Sequence, residues 1–211
     1  MMDSYSGEVA NLYIGEPKPI GPDNTPSGIF KEPVTSCLLT KTGLQGDTQV
    51  DKRVHGGLEK ALYHFPEDNY ALLRQALTHI ESSFVPGSIG ENLSSIGIDD
   101  KKVHVGDIVR IGGALVQVSQ PRRPCWKVNH KYGNGHIASL LMSQGISGWY
   151  YRVLEEGIIS VGDAFQLEER LDQSVSVAEV WAIFVEKLKS KMPPEAFNTD
   201  IPGLSTEWKF E

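Results

Sequence analysis

The sequence predicts a mixed α+β fold that is mainly β: a β-barrel with a few peripheral helices, followed by a small all-helical module at the C-terminal end. Three observations predict it. Apolar runs are short, four to seven residues, and are punctuated by glycine, of which the chain has 21 in 211 residues. Helical periodicity is confined to a few segments. After Leu167 the composition changes to a polar stretch, "EERLDQSV", and then to a strongly helical one.

Taken in order, 7–15 ("GEVANLYIG"), 35–40 ("TSCLLT"), 60–65 ("KALYHF"), 107–112 ("DIVRIG") and 114–120 ("ALVQVSQ") read as strands. Gly112–Gly113 predicts a hairpin between the last two. The segment 148–167 reads as a second hairpin, turned near Glu156–Gly157. Residues 67–80 follow Pro66, open with Glu67 and Asp68, and repeat Tyr70, Leu73, Leu77 and Ile80 at helical spacing. A second helix is expected at 136–144. Ser176 and Glu179 form a capping-box pattern that opens a helix to about Lys189, with Val177, Val180, Trp181, Phe184 and Leu188 on one face. Pro193–Pro194 breaks the chain, and two further short helices fit before Glu211. These features divide the chain into a barrel at 1–169 and a helical module at 170–211. The module is too small to hold much core of its own, so it is expected to dock on the barrel or on a partner.

Composition excludes several classes. Forty per cent hydrophobic and 22% charged residues are ordinary for a globular protein, and a net charge of −7 disfavours binding to nucleic-acid polymers. No run of eighteen apolar residues suggests a membrane span, and the N-terminal stretch shows no signal-peptide pattern. Two cysteines 88 positions apart, Cys37 and Cys125, form no disulfide framework, which leads to the expectation of a cytoplasmic protein with reduced thiols. The six histidines complete no zinc signature, and no G-x-G-x-x-G follows a strand.

Two stretches carry chemistry. In "PRRPCWKVNHKYG" (121–133), Arg122, Arg123, Lys127 and Lys131 surround Cys125 with no acidic residue among them. Nearby cations favour the thiolate, the form that acts as nucleophile or metal ligand. Pro121 and Pro124 deny the segment ladder pairing, so Cys125 is expected on a rigid loop or at the start of a helical turn. Cys37, in an apolar run, reads as an inert thiol. The second stretch, "GLQGDTQVDKRVHGGLEKALYHF" (43–65), gathers Asp47, Arg53, His55, Lys60 and His64 around Gly56–Gly57, where a backbone without side chains approaches a ligand closely. A solvated turn before a strand explains that cluster about as well. "GENLSS" (90–95) places Glu91 and Asn92 at a strand start.

Together these stretches resemble the MOSC family, named after the C-terminal domain of molybdenum cofactor sulfurase. The matching pieces are "GLQGD" (43–47), "DKRVHGG" (51–57), "EKALYHF" (59–65), "GENL" (90–93), "VGDIVRIG" (105–112), "QPRRPCWK" (120–127) and "GWYYRV" (148–153). They keep the family's order and cover most of residues 20–165. Within the family the chain is most similar to the bacterial YiiM-type branch, in which a short three-helix module follows the barrel. The resemblance implies a MOSC-type β-barrel holding a molybdenum cofactor (molybdopterin), with Cys125 giving its thiolate to the metal. It further implies reduction of N-hydroxylated compounds, including base analogues such as 6-N-hydroxylaminopurine, with electrons from an external NADPH-linked flavoprotein.

On that reading Arg53, His55, Gly56, Gly57, Lys60, His64, Asn92, Gln120, Arg122 and Arg123 are the cofactor-binding candidates. Asp47 either holds its loop by accepting backbone N–H bonds or reaches the substrate, and Asp47, His55 and His64 are the candidate proton relays beside Cys125. Two other readings stand against this one: a carrier of the cofactor or of persulfide sulfur without reductase turnover, and a metal-free cysteine hydrolase using Cys125 and a histidine base. The helical tail reads as a docking module for the reductase, as a homodimer contact, or as a lid on one end of the barrel.

Overall fold

The computed structural model describes residues 5–50, 56–190 and 200–208. Arg53, His55 and the Pro193–Pro194 break lie outside the described residues.

The first strand, β1 (Glu8–Ile14), is followed by a short hairpin of β2 (Lys18–Ile20) and β3 (Thr25–Ser27). Next come β4 (Glu32–Val34), β5 (Ser36–Thr40), β6 (Gly43–Leu44) and β7 (Leu62–His64), then helix α1 (Glu67–Ala76) and β8 (Leu93–Ile96). The chain continues through β9 (Ile108–Ile111), β10 (Ala114–Pro121), α2 (Lys127–Tyr132), α3 (Ile137–Gln144), β11 (Trp149–Glu155), β12 (Gly157–Ser160), β13 (Phe165–Glu169) and α4 (Val177–Lys189). Among the described residues, eight strands make one sheet in the order β13-β9-β10-β11-β7-β8-β1-β4, and β12-β5-β6 make a smaller one. The β7–β8 pair is parallel; the other pairs of the large sheet are antiparallel.

The expected barrel is corrected to a sheet whose ends meet without forming a ladder. Glu8 bridges Ala164, Val9 N donates to Asp163 O (2.9 Å) and Phe165 N donates to Gly7 O (3.1 Å). Beyond Leu12 the same strand pairs with β4 instead, so β4 takes the edge and full closure is lost. The change of partner follows an irregularity in the β1–β8 register between Val9 and Asn11.

Alternation explains the central strands. Val109, Ile111, Ala114, Val116 and Val118 are buried on one face, while Arg110 and Gln117 point the other way. The β9–β10 hairpin turns at Gly112–Gly113 as expected. The expected hairpin over 148–167 does not form. β11 pairs with β10 and β7, whereas β12 pairs with β5 and β13 with β9. The chain can cross between sheets there because Gly157 lies directly on Gly113: a Cβ on Gly157 would stand 2.2 Å from the Gly113 carbonyl carbon.

Helix α1 starts after Pro66 as expected but ends at Ala76, and 78–83 continue as 3-10 turns. Helix α4 opens with the expected capping box, Glu179 N donating to Ser176 Oγ (3.2 Å) and Ser176 N to Glu179 Oε2 (2.8 Å). Its Val177, Val180, Trp181 and Phe184 are buried, but Leu188 is 59% exposed, so the apolar face stops one turn short of the expected length. Burial of four such side chains, at about 1.5–3 kcal/mol each, holds the helix on the sheet. Ile201, Leu204 and Trp208 join the same core cluster. A second cluster packs α1, α2 and α3 against the sheet through Phe65, Tyr70, Leu73, Val128, Ile137 and Leu141. Among the described residues no helix is long and apolar enough to cross a membrane.

Candidate functional site

A cleft opens where β10 ends and α2 begins. One of its walls carries Lys60, Tyr63, Tyr150, Arg122, Cys125 and Lys127. The other is formed by Ser27–Ile29, Lys31, Asp47–Val50, Ile89, Gly90 and Asn92. Four basic side chains therefore meet one carboxylate in a chain whose net charge is −7.

The Cys125 wall is built by strand endings. Pro121 is the last residue of β10 to pair, opposite Trp149, and Arg122 N then donates to Gly148 O at 2.9 Å. Gly148 is itself held from below: its N–H donates to Asp100 Oδ1 (3.1 Å), and burial raises the Asp100 carboxyl to about 6. Cys125 O accepts from Val128 N (3.1 Å), which starts α2, so the thiol sits at a loop-to-helix junction as expected. It is free and half-buried.

The Arg122 side chain is buried, with its guanidinium 4.7 Å above the Tyr63 ring. Burial opposes its charge, but the surrounding Tyr63 and Tyr150 phenols and the Cys125 thiol more than offset this and hold it protonated. Its Nε and Nη1 find no hydrogen-bond acceptor among the described residues. A buried charged donor without an acceptor is costly, and such a group at the wall of a cleft is suited to an anion.

On the facing wall Asp47, Asn92 and Lys31 satisfy one another. Asp47 accepts from Gly15 N (2.8 Å) and Asn92 Nδ2 (2.9 Å) and pairs with Lys31. Asn92 also donates to Tyr13 O, and its Oδ1 accepts from Tyr63 N, both at 3.3 Å. Asp47 therefore holds its loop by accepting a backbone N–H, one of its two expected roles. Gly90, at φ +93°, lets this wall close on Ile29, whose Cγ1 would be 2.8 Å from any Cβ there. Gly56 packs on Gln49, whose Oε1 would lie 2.2 Å from an added Cβ, and Gly57 adopts φ 85° just before the 3-10 turn that carries Lys60.

The structure thus brings Cys125, Arg122, Lys60, Asp47 and Asn92 to one cleft, with Gly56 and Gly57 supporting its edge. It takes three other candidates elsewhere. His64 is fully buried between Tyr151 OH (3.1 Å from Nδ1) and Ser95 Oγ (2.7 Å from Nε2), with the Trp149 ring tilted against it at 4.2 Å, and burial pushes its pKa well below the usual imidazole range. Gln120 is buried at the end of β10 and does not line the cleft. Arg123 turns towards the C-terminal segment, 4.7 Å above both the Phe184 and Trp208 rings, and its desolvation there lowers its pKa. Among the described residues no histidine lines the cleft, and His55 lies outside them.

Sequence reasoning missed Tyr63, Tyr150, Lys31 and the cleft role of Lys127. Strand parity carries the signal for the first two. Tyr63 pairs with Tyr150 and His64 with Trp149, so one face of β7–β11 presents phenols to the cleft and the other puts the imidazole in the core.

Comparisons with known proteins bear on the family and the fold. Residues 51–166 match the family model described as the MOSC domain. Protein YiiM of Escherichia coli (strain K12) is 40% identical over 183 residues, which span 86% of this chain and 77% of that protein. A protein of Gibberella moniliformis (strain M3125 / FGSC 7600) named Reductase is 34% identical over 156 residues, 73% of this chain but 28% of that protein. The crystal structure of YiiM from Geobacillus stearothermophilus superposes with a TM-score of 0.77 at 29% identity, covering 96% of this chain and 95% of that one.

Proposed function

The chain belongs to the MOSC family, and on that premise we propose that it is a molybdenum-cofactor-dependent reductase of N-hydroxylated compounds. The observation that carries the reading is the pairing of a half-buried thiol, Cys125, with a buried guanidinium, Arg122, that has two nitrogens without acceptors on the same cleft wall. This donor set fits a molybdenum–pterin group: a soft sulfur for the metal and a fixed cation for the phosphate. The relative named Reductase supports a reductive activity.

When bound, the cofactor supplies two-electron, oxygen-atom chemistry that no side chain offers. The chain's own residues divide the remaining work. Cys125 would ligate the metal through its sulfur, a soft ligand suited to it. Arg122 and Lys60 would hold the anionic end of the cofactor. The Asp47–Asn92–Lys31 network keeps the opposite wall in place, and Tyr63 and Tyr150 give the Cys125 wall its phenol rings. The net reaction is R–NH–OH plus two electrons and two protons giving R–NH₂ and water. The electrons come from a separate NADPH-linked flavoprotein, as the family resemblance implies. The His64 imidazole is too deep to deliver a proton, and the Asp47 oxygens are already engaged.

The test compares molybdenum per chain in wild type and Cys125→Ser, both made in a host that loads another molybdoenzyme, with turnover of 6-N-hydroxylaminopurine under an artificial donor. Near-stoichiometric metal and turnover in wild type, both lost in the variant, are expected. Metal retained in the variant ends the ligand role of Cys125. Metal in wild type without turnover of any hydroxylamine moves the reading to a cofactor carrier, and no metal in either protein moves it to a persulfide carrier.

A further inference from the structure

Two lysine–carboxylate pairs stand at the cleft, and they are built differently. In Lys31–Asp47 both side chains are buried, 5% and 2% exposed, and Asp47 is further fixed by Gly15 N and Asn92. In Lys60–Glu207 the lysine is equally buried, at 6%, but the carboxylate is 43% exposed. Glu207 belongs to a single 3-10 turn, Thr206–Trp208, near the C-terminal end. Its charge also acts on Arg123 and on Tyr150, the second of which lines the cleft beside Lys60. An acidic side chain from the tail thus reaches the cationic wall.

We infer that Glu207 is a specificity-determining residue of the cleft: it acts as an internal counter-anion on Lys60, so that a ligand group must carry more charge than one carboxylate to take its place. The inference rests on reading the cleft as an anion site, but not on the metal. Lys60 is buried, and the Glu207 carboxylate offsets part of the cost of burying its charge. Glu207, half in water, leaves its partner at little cost. Coulomb attraction scales with the charge of the incoming group, so a dianionic phosphoryl group displaces the carboxylate where a monoanion competes with it on equal terms. The exchange needs only a side-chain movement. Trp208 stays packed 5.0 Å from Phe184 and 5.7 Å from Trp181, with Arg123 above the Phe184 and Trp208 rings.

Calorimetric titration with inorganic phosphate at pH 8, where it is mostly dianionic, and with acetate at matched ionic strength tests the inference on the full chain without cofactor. Wild type is expected to bind phosphate and to discriminate at least tenfold against acetate. Glu207→Gln is expected to bind phosphate about tenfold more tightly and to bind acetate as well, so that discrimination shrinks. Glu207→Asp, with a shorter reach, falls between, and provides a second variant if the amide folds poorly. Lys60→Gln in the Glu207→Gln background removes the gain. Equal phosphate affinity in wild type and Glu207→Gln overturns the inference. So does weaker binding in Glu207→Gln, which would make Glu207 a positioning residue for Lys60, and so does the absence of phosphate binding in both. None of these results depends on whether molybdenum binds, so the anion inference and the reductase reading fail separately.

Discussion

The two walls of the cleft are made of similar residue types and do opposite things with them. On the Asp47 wall the carboxylate of Asp47, the amide of Asn92 and the ammonium of Lys31 have partners within the chain and close a network that also ties down Gly15 and Tyr63. On the Cys125 wall the guanidinium of Arg122 is buried with two nitrogens unmatched, and the thiol is half-open. A saturated wall contributes shape and stability, whereas an unsaturated one stores interaction capacity for something that is not part of the chain. The difference teaches that charge alone does not mark a ligand site; unmet hydrogen-bonding capacity beside that charge does.

Breaking the saturated wall should have the largest effect, and on stability. Asp47→Ala removes one member of a buried ion pair and strands Lys31, a change expected to cost about 3–5 kcal/mol, read as a lowered midpoint in urea or heat. If the midpoint hardly moves, the network is not a scaffold.

Support beneath the other wall gives the next effect, through pH. Asp100 holds Gly148, which holds Arg122, and its carboxyl is raised from 3.8 to about 6 by burial. Below about pH 4 it is protonated folded and unfolded; above about 6 it is ionised in both. Between these limits the folded state keeps a proton that the unfolded chain releases, so stability falls as pH rises through the window, by about 3 kcal/mol in all. Asp100→Asn should flatten that slope in denaturation curves collected from pH 4 to 7. An unchanged slope would show that Asp100 titrates normally.

Arg122→Met sharpens the comparison from the ligand side. Loss of charge-assisted bonds worth about 1.5–3 kcal/mol predicts phosphate binding weakened by one to two orders of magnitude. The melting temperature should change little, because two of the Arg122 nitrogens find no acceptor among the described residues. A large fall in melting temperature would instead make Arg122 part of the scaffold. The smallest effect is expected at Arg123→Ala. Removal of two ring contacts should cost about 1–2 kcal/mol and loosen the 200–208 segment, seen as faster amide exchange there, with little change in phosphate affinity.

Much of this contrast was legible in the residues. The alternation of 107–120 around Gly112–Gly113 predicts β9–β10 with its buried face, and Ser176–Glu179 predicts α4 from a local capping interaction. Cys125 and Arg122 stand out because a proline-bounded cationic segment has little structural purpose of its own. What the residues did not disclose depends on distant pairing. Nothing local says that Gly157 passes against Gly113, so 148–167 reads as a hairpin when its strands belong to separate sheets. The strands β2, β3 and β4 are three residues long, each with a proline, and carry no periodicity. His64 is more conspicuous in sequence than Tyr63, yet only pairing with β11 decides which of them faces the cleft. Arg123 and Glu207 gain their roles from contact between a loop and a tail that are far apart along the chain.

The meeting of β1 with residues 162–165 sets a timetable for synthesis. Glu8 and Val9 leave the ribosome early, pair with β8 only after residue 96 has emerged, and find their second neighbours more than sixty residues later. Until then the nascent chain carries an apolar strand with an open edge; its pairing with β4 closes a short loop, but those with β8 and with 162–165 close long ones. A chain wired in this way folds late and slowly as a unit, and depends on protection of that first strand while the rest is being made.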